Sequence, residues 1–250
     1  MRYLLYCIFS KSARQPTVGL RGVDLQPVLE ITSNELSAAV SQMDRMPAPH
    51  DVPQVLIYER VIATLHREHT LIPMRFGCLL DGPSGVIELL EERGSAFKDT
   101  LAAMMDCVET GIHVLFEKRA MAGETPLAPG TRATASANDS SRNGLAYLVA
   151  RRQYYDRIDR DTQDHQQIME QFCSDFAGLF VRCKVDDHSR GLPFAPCGIR
   201  MVSFRFLVHR SFLREFCSAA ERVIARMDED SFLSDPCPPY SFTECQAGAL

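Results

Sequence analysis

Two histidines at helical spacing are the first residues whose chemistry could matter in this chain. His66 and His69 stand three apart in the run HREH, which places them on one face of a helix. A zinc site needs three or four ligands, and no partner pair stands elsewhere in the sequence at a suitable spacing. We therefore predict no metal site and interpret HREH as the solvated end of a helix.

The nine cysteines are the next candidates, as nucleophiles or as redox groups. No CxxC pair occurs among them, their number is odd, and secreted disulfide-rich domains are usually shorter. A nucleophilic cysteine needs surroundings that stabilise its thiolate, and no local motif indicates them. We predict reduced, mostly buried thiols of a cytosolic protein and no catalytic residue among them.

Glycine turns and carboxylate runs add no catalytic motif. DGPSG and GLPFAPCG match neither a phosphate-binding loop nor a dinucleotide fingerprint, so no cofactor is predicted. The runs DRIDRD and MDEDSF are typical of solvated helix faces. A small enzyme with a cysteine- or metal-based site remains the alternative to a non-catalytic function.

Composition argues against two classes of partner. The chain has 250 residues and a net charge of −5, whereas a nucleic-acid surface is normally basic. An acidic chain is not favoured on anionic membranes, and no apolar run is long enough to cross a bilayer. The N-terminal run MRYLLYCIFSKSA is at the short limit for a signal peptide, and we interpret it as a first strand.

The elements that must position these side chains form an α+β pattern. In the first part of the chain, strands are expected at residues 3–9, 17–21, 28–32 and 71–80, with helices at 52–68 and at 84–107, the latter divided near Gly94. In the second part, the order is a strand at 111–118, a long helix at 145–179, strands at 180–186 and 198–209, a helix at 212–227 and a strand at 231–234.

The second order is β-α-β-β-α-β, the pattern of a ferredoxin-like unit. We therefore predict two domains: an N-terminal α+β domain at 1–109 and a modified ferredoxin-like domain at 110–235. The run at 119–143 is rich in Gly, Pro, Ser and Thr, and it predicts a flexible loop inside the second domain. Residues 236–250 form a C-terminal tail.

An arginine interrupts the apolar run LIPMRFGCLL. On a strand Arg75 points away from the face shared by Ile72, Met74 and Phe76, and a guanidinium is costly to bury without a partner. Arg75 must therefore reach solvent or meet a carboxylate. Gly77 ends the pattern as a bulge, a turn or a place of close backbone approach.

The tail carries the run SDPCPPYSF at Ser234–Phe242. Its prolines hold the backbone extended and lower the entropy lost on docking. Tyr240 and Phe242 are then large apolar anchors. We favour packing of this segment on its own protein, with docking on a partner as the alternative.

Five blocks in this order resemble the gas vesicle GvpF/GvpL family: LIPMRFGCLL, GIHVLFEK, GLAYLVARR, FRFLVHRSFLREF and DPCPPYSF. The residues that match the family pattern are Pro73, Arg75, Phe76, Gly77, Gly144, Ala146, Tyr147, Leu148, Pro236, Pro238, Pro239, Tyr240 and Phe242. Asp235 stands where the family usually has glycine, and Cys237 stands where it usually has tryptophan.

The resemblance implies an accessory protein of gas vesicle assembly that is not an enzyme. It implies that the partners are the hydrophobic shell protein and other gas vesicle proteins, and that the protein is found at the gas vesicle and in the cytoplasm. It also implies that Arg75, Phe76, Gly77, Tyr147, Pro238, Pro239, Tyr240 and Phe242 are interaction or structural residues. We hypothesise that Arg75 pairs with Glu59.

Overall fold

The computed structural model describes residues 1–11, 17, 19–45, 48, 51–117, 152, 163, 165–187, 199–227 and 230–243. It is an α+β fold with two antiparallel sheets. The predicted loop at 119–143, Tyr147, most of the predicted helix at 145–179 and residues 244–250 lie outside the described residues.

The first sheet has five strands. They are β1 (Arg2–Ser10), β2 (Leu29–Ser33), β3 (Leu36–Met43), β4 (Leu71–Pro73) and β5 (Leu79–Asp81). The order is β2-β3-β1-β4, and β5 pairs with the beginning of β1 on the side where β4 pairs with its end. β1 is therefore central, and its apolar side chains are buried along nearly its whole length.

Helices cover both faces of the first sheet. They are α1 (Val52–His66), α2 (Gly82–Glu92) and α3 (Gly94–Ala103). α1 packs on the face that carries Leu4, Tyr6 and Phe9, and α2 and α3 pack on the face that carries Leu5 and Ile8. β1 is buried on both faces and so reads as a continuous apolar run, without polar alternation.

α1 begins where the sequence predicts. The Asp51 side chain accepts a hydrogen bond from Gln54 N–H at 3.4 Å, and Pro53 lies in the first turn, where no intrahelical donor is required. Tyr58, Ile62 and Leu65 form the buried stripe. This stripe fixes which face of α1 remains outside.

The second sheet has four strands, β6 (Cys107–Glu117), β7 (Arg182–Asp187), β8 (Ile199–His209) and β9 (Asp230–Leu233). Their order is β7-β8-β6-β9, and every neighbouring pair is antiparallel. Two helices, α4 at 165–175 and α5 (Leu213–Ile224), contribute to the core on one face. Five phenylalanines fill that core: Phe172, Phe176, Phe204, Phe206 and Phe216.

Two strand predictions need correction, and one strand was missed. The strand predicted at 17–21 is wrong, because Thr17 and Gly19 lie in a turn and Gly19 has φ of 80°. β3 was not predicted, since its sequence LSAAVSQM has small and polar residues and no strong alternation. The single strand expected at 71–80 is divided into β4 and β5, because Gly77 turns the chain at φ of 100°.

The helical sequence predicted up to Cys107 ends earlier. α3 stops at Ala103, and Asp106 has φ of 53°, so the chain leaves the helix before β6 begins. Met105 lies in this turn and is 63% exposed. The division between α2 and α3 falls at Arg93, next to the predicted Gly94. The domain boundary at 109/110 stays a prediction.

Candidate functional site

The tail segment, Ser234–Phe242, continues β9 along β6. Ser234 N–H donates to Gly111 O at 2.8 Å, and Cys237 and Glu109 exchange two backbone hydrogen bonds at 2.8 and 2.9 Å. The prolines of the segment, which have no N–H, fall at positions where this pairing needs no donor. The segment therefore packs on its own chain.

A buried carboxylate, Glu109, joins the tail segment to the second sheet. Its residue is 1% exposed. Ser241 donates to it twice, from N–H to Oε2 and from O–H to Oε1, both at 2.8 Å. Arg205 Nη1 donates to Oε1 at 2.8 Å, while Arg205 Nε donates to Asp186 Oδ2 at 2.7 Å. The buried charge is thus paired and hydrogen-bonded, as its burial requires.

Tyr240 extends from the tail segment to the first sheet. Its ring packs against the core between α1 and β1, and its O–H donates to Glu59 Oε2 at 2.6 Å. Burial, and then the hydrogen bond to Glu59, raise the pKa of Tyr240. The hydroxyl is therefore protonated at neutral pH and acts as a donor.

Phe242 enters the other core of the first sheet. It is 1% exposed and packs with the side chains of α2, α3 and β1. Lys184 Nζ donates to Ser241 O at 2.9 Å and lies 5.6 Å from the centre of the Phe242 ring, a cation–π distance. Tyr240, Ser241 and Phe242 thus contact three separate parts of the fold. We call these three residues the tail clasp.

The PMRFG block is divided between the two faces of the first sheet: Met74 packs against the α2 and α3 core, as Ile72 does, and Phe76 packs against the α1 core. The single face expected for these three side chains is therefore wrong. The buried Tyr58 hydroxyl is 3.0 and 3.1 Å from the carbonyls of Met74 and Arg75, and its ring meets Phe76 edge-on at 5.2 Å. Phe76 packs against the same core as Tyr240. The first and last blocks of the sequence pattern therefore meet, although about 160 residues separate them.

The other residues singled out from the sequence are placed as follows. Arg75 is exposed, and its pairing with Glu59 stays a prediction. Pro238 and Pro239 are buried beside the tail clasp, and Tyr147 lies outside the described residues. The sequence did not single out Glu109 or Arg205. The sequence pattern that could have pointed to them is a charged residue inside each of two largely apolar strands.

A second junction joins the two sheets near the end of α1. Arg210, directly after β8, donates from Nη2 to His66 O and from its backbone N–H to Asp106 O at 2.8 Å. Thr70 Oγ1 accepts from Asp106 N–H at 3.0 Å. His66 is buried here, so the solvated helix end expected from HREH is wrong for this residue. Neither of its ring nitrogens has a hydrogen-bond partner in the part of the chain that the structure describes.

We expect His66 to make stability depend on pH. Burial, and then the charge of Arg210, lower the pKa of His66 to about 4. In the unfolded chain His66 takes up a proton near pH 6.5, whereas in the folded protein it does so only near its lowered pKa of about 4. The free energy of unfolding therefore falls by about 2 kcal/mol as the pH drops from 6.5 toward 4. His66→Leu should remove this part of the pH dependence in urea unfolding at pH 7 and 4.5. Equal pH dependence in the two proteins would rule this origin out.

Comparison with known proteins identifies the family. The family model "Gas vesicle synthesis protein GvpL/GvpF" matches residues 2–244. The chain belongs to the GvpL/GvpF family. Among curated relatives, gas vesicle protein F of a Streptomyces species is 24% identical over 88% of this chain and 89% of its own length. Gas vesicle protein L1 of Halobacterium salinarum is 29% identical over 46% of this chain, which spans only 43% of that relative.

Solved GvpF structures share the fold. The crystal structure of GvpF from an Anabaena species has a TM-score of 0.69 and 17% identity, covering 97% of this chain and 96% of that one. GvpF from Microcystis aeruginosa has a TM-score of 0.64 at 17% identity, covering 97% and 99%. At this identity the likeness concerns the fold alone.

The thiols described in this GvpL/GvpF chain have raised pKa values wherever a shift is resolved. Burial raises the pKa of Cys78 to about 11, and burial and then Glu109 raise that of Cys237 to about 12. Such thiols are weak nucleophiles at neutral pH. Within the described ranges, no cluster of three or more His, Cys, Asp or Glu residues is suited to a metal ion. No helix among the described residues is long and apolar enough to span a membrane.

Proposed function

We propose that this chain is an accessory protein of gas vesicle assembly that binds the hydrophobic shell protein and other gas vesicle proteins, at the vesicle and in the cytoplasm. The observation that carries the proposal is the family match over residues 2–244. The role is binding without catalysis, and nucleic acid and membranes are not partners. The raised pKa values of the described thiols support this role over a cysteine enzyme.

The shell protein would bind at exposed apolar side chains of the first sheet. Leu25 and Leu29 lie in the turn before β2 and on β2, and they are 74% and 41% exposed. Val52 and Leu56 lie one helical turn apart on α1 and are 61% and 60% exposed. Leu29 pairs with Val40 and so faces the α2 and α3 side of the sheet, whereas Leu25, Val52 and Leu56 lie on or beside α1. We call Leu25, Val52 and Leu56 the apolar surface. A hydrophobic partner gains the most binding free energy where apolar side chains already face solvent, because binding removes them from water.

Backbone strain at the apolar surface supports this placement. Asp24 and Leu25 have φ of 53° and 58°, a left-handed conformation that bulky residues rarely adopt. The turn packs against α1, where Gln54 Oε1 accepts a hydrogen bond from Asp24 N–H at 3.0 Å. An exposed leucine in a strained turn is more typical of a residue that contacts a partner than of a core residue.

Serine substitutions on the outer face of α1 test the proposal. We expect Val52→Ser/Leu56→Ser to reduce co-purification of co-expressed shell protein roughly tenfold or more, because two apolar contacts are lost. The free energy of unfolding should change by only about 0.5 kcal/mol, since both sites are on the surface. Met105→Ser, at a side chain that is 63% exposed, is the matched control and should bind normally. Undiminished capture by the double variant would refute the placement.

The sequence-matched residues have structural roles in this proposal. Phe76 and Tyr240 support the α1 side of the first sheet, and Gly77 turns the chain after β4. Pro238 and Pro239 are buried beside the tail clasp, of which Phe242 is a part. We also propose that β6 to β9, with α4 and α5, form the modified ferredoxin-like domain at 110–235. The strand order and the antiparallel pairing support that assignment.

A further inference from the structure

Two free cysteines of the second sheet lie in contact. Cys173 on α4 and Cys183 on β7 place their Sγ atoms 3.4 Å apart, and both side chains are partly buried. A disulfide requires about 2.0 Å between sulfurs. Small side-chain rotations can close a gap of this size when the backbones already bring the sulfurs together.

The surrounding contacts hold both backbones in place. Phe172 on α4 and Phe176, one residue after the helix ends, are both buried, so that end of α4 is anchored in the core. Cys183 pairs with Phe206 in the ladder between β7 and β8. The contact between the thiols is therefore set by packing and by sheet pairing, and neither sulfur lies on an exposed loop.

We propose that Cys173 and Cys183 are an oxidant-responsive pair that forms a disulfide in the folded protein. With a peroxide as oxidant, one thiolate attacks the peroxide oxygen to give a sulfenic acid and hydroxide, which takes up the thiol proton as water. The second thiol then attacks the sulfenic sulfur and releases another water. In total, two thiols and one peroxide give one disulfide and two waters.

The disulfide would fasten the edge of the second sheet. β7 is the edge strand of its sheet, and its Lys184 holds Ser241 of the tail clasp. A bond between residues ten apart restricts the unfolded chain and ties β7 to α4. Burial, and then the neighbouring Cys173, raise the pKa of Cys183 to about 11, so oxidation should be slow at neutral pH and faster in mild alkali.

Peroxide treatment of the whole chain, purified in reductant, tests the proposal. We expect the oxidised protein to lose two alkylatable thiols and the mass of two hydrogen atoms, with one cross-linked peptide pair joining Cys173 to Cys183. Its Tm should rise by about 5–10 °C and return when dithiothreitol is added. Cys217→Ser, at another partly buried free thiol, should behave like the original protein.

Cys173→Ser and Cys183→Ser should each abolish the cross-link and the rise in Tm. Peptide mapping of the unsubstituted protein decides the question even if a variant folds poorly. A cross-link from Cys183 to any other cysteine, or no cross-link at all after prolonged peroxide treatment in mild alkali, would overturn the proposal.

Discussion

Replacing Arg205 with methionine is expected to lower the free energy of unfolding by about 3–5 kcal/mol. Arg205 supplies the only cationic donor to Glu109 among the described residues, and Glu109 is 1% exposed. Without the guanidinium, a buried carboxylate would retain only the two hydrogen bonds from Ser241. Since a domain is stable by only about 5–15 kcal/mol, the variant should lose a large share of its free energy of unfolding. Urea unfolding measures the loss.

Asp186→Asn is the matched control for this variant. Asp186 bonds to the same guanidinium, but its side chain is 40% exposed, so removing its charge should cost under about 1 kcal/mol. Equal and small losses in both variants would show that Glu109 does not depend on Arg205.

Replacing Phe242 with alanine is expected to cost about 3–5 kcal/mol. The ring is 1% exposed and belongs to the core cluster that includes side chains of β1, α2 and α3, so its removal leaves a cavity and gives up the contact with Lys184. Thermal or urea unfolding of the whole chain measures this effect. The loss should appear as one cooperative transition if the tail clasp is part of the folded core.

Phe232→Ala is the matched control for Phe242→Ala. Phe232 lies on β9, close in sequence to the tail segment, but it is 47% exposed and stacks on His113. Its substitution should cost about 1 kcal/mol. If both alanine variants lost equally little free energy of unfolding, Phe242 would contribute little to the core. The tail segment would then be a peripheral part of the fold.

Local patterns predicted most of the helices and strands because their signals are short-range. α1 is specified by its cap and stripe, and β8 by a run rich in valine, phenylalanine and leucine. The packing of the tail segment on its own chain followed from prolines next to two aromatic residues. The positions of these aromatics in two different cores could not be predicted, because that depends on how the sheets meet.

The pairing of Glu109 with Arg205 beside the tail clasp could not be predicted from the sequence, for a physical reason. Glu109 and Arg205 are 96 residues apart, and each alone resembles a solvent-facing residue on a half-buried strand. Only the register between β6 and β8, and the return of Ser241, show that both are covered. β3 was missed for a related reason, since its small residues become buried only through the neighbouring strands and helices.

The most direct test asks whether partner binding and tail packing use different surfaces. It compares how much shell protein co-purifies with each of two variants of this chain. Val52→Ser/Leu56→Ser removes exposed side chains, and Phe242→Ala removes a buried one. At a temperature where both are folded, we predict that the first variant loses the shell protein and that the second retains it. Normal capture by the first together with loss by a folded Phe242→Ala would contradict this account and assign binding to the tail.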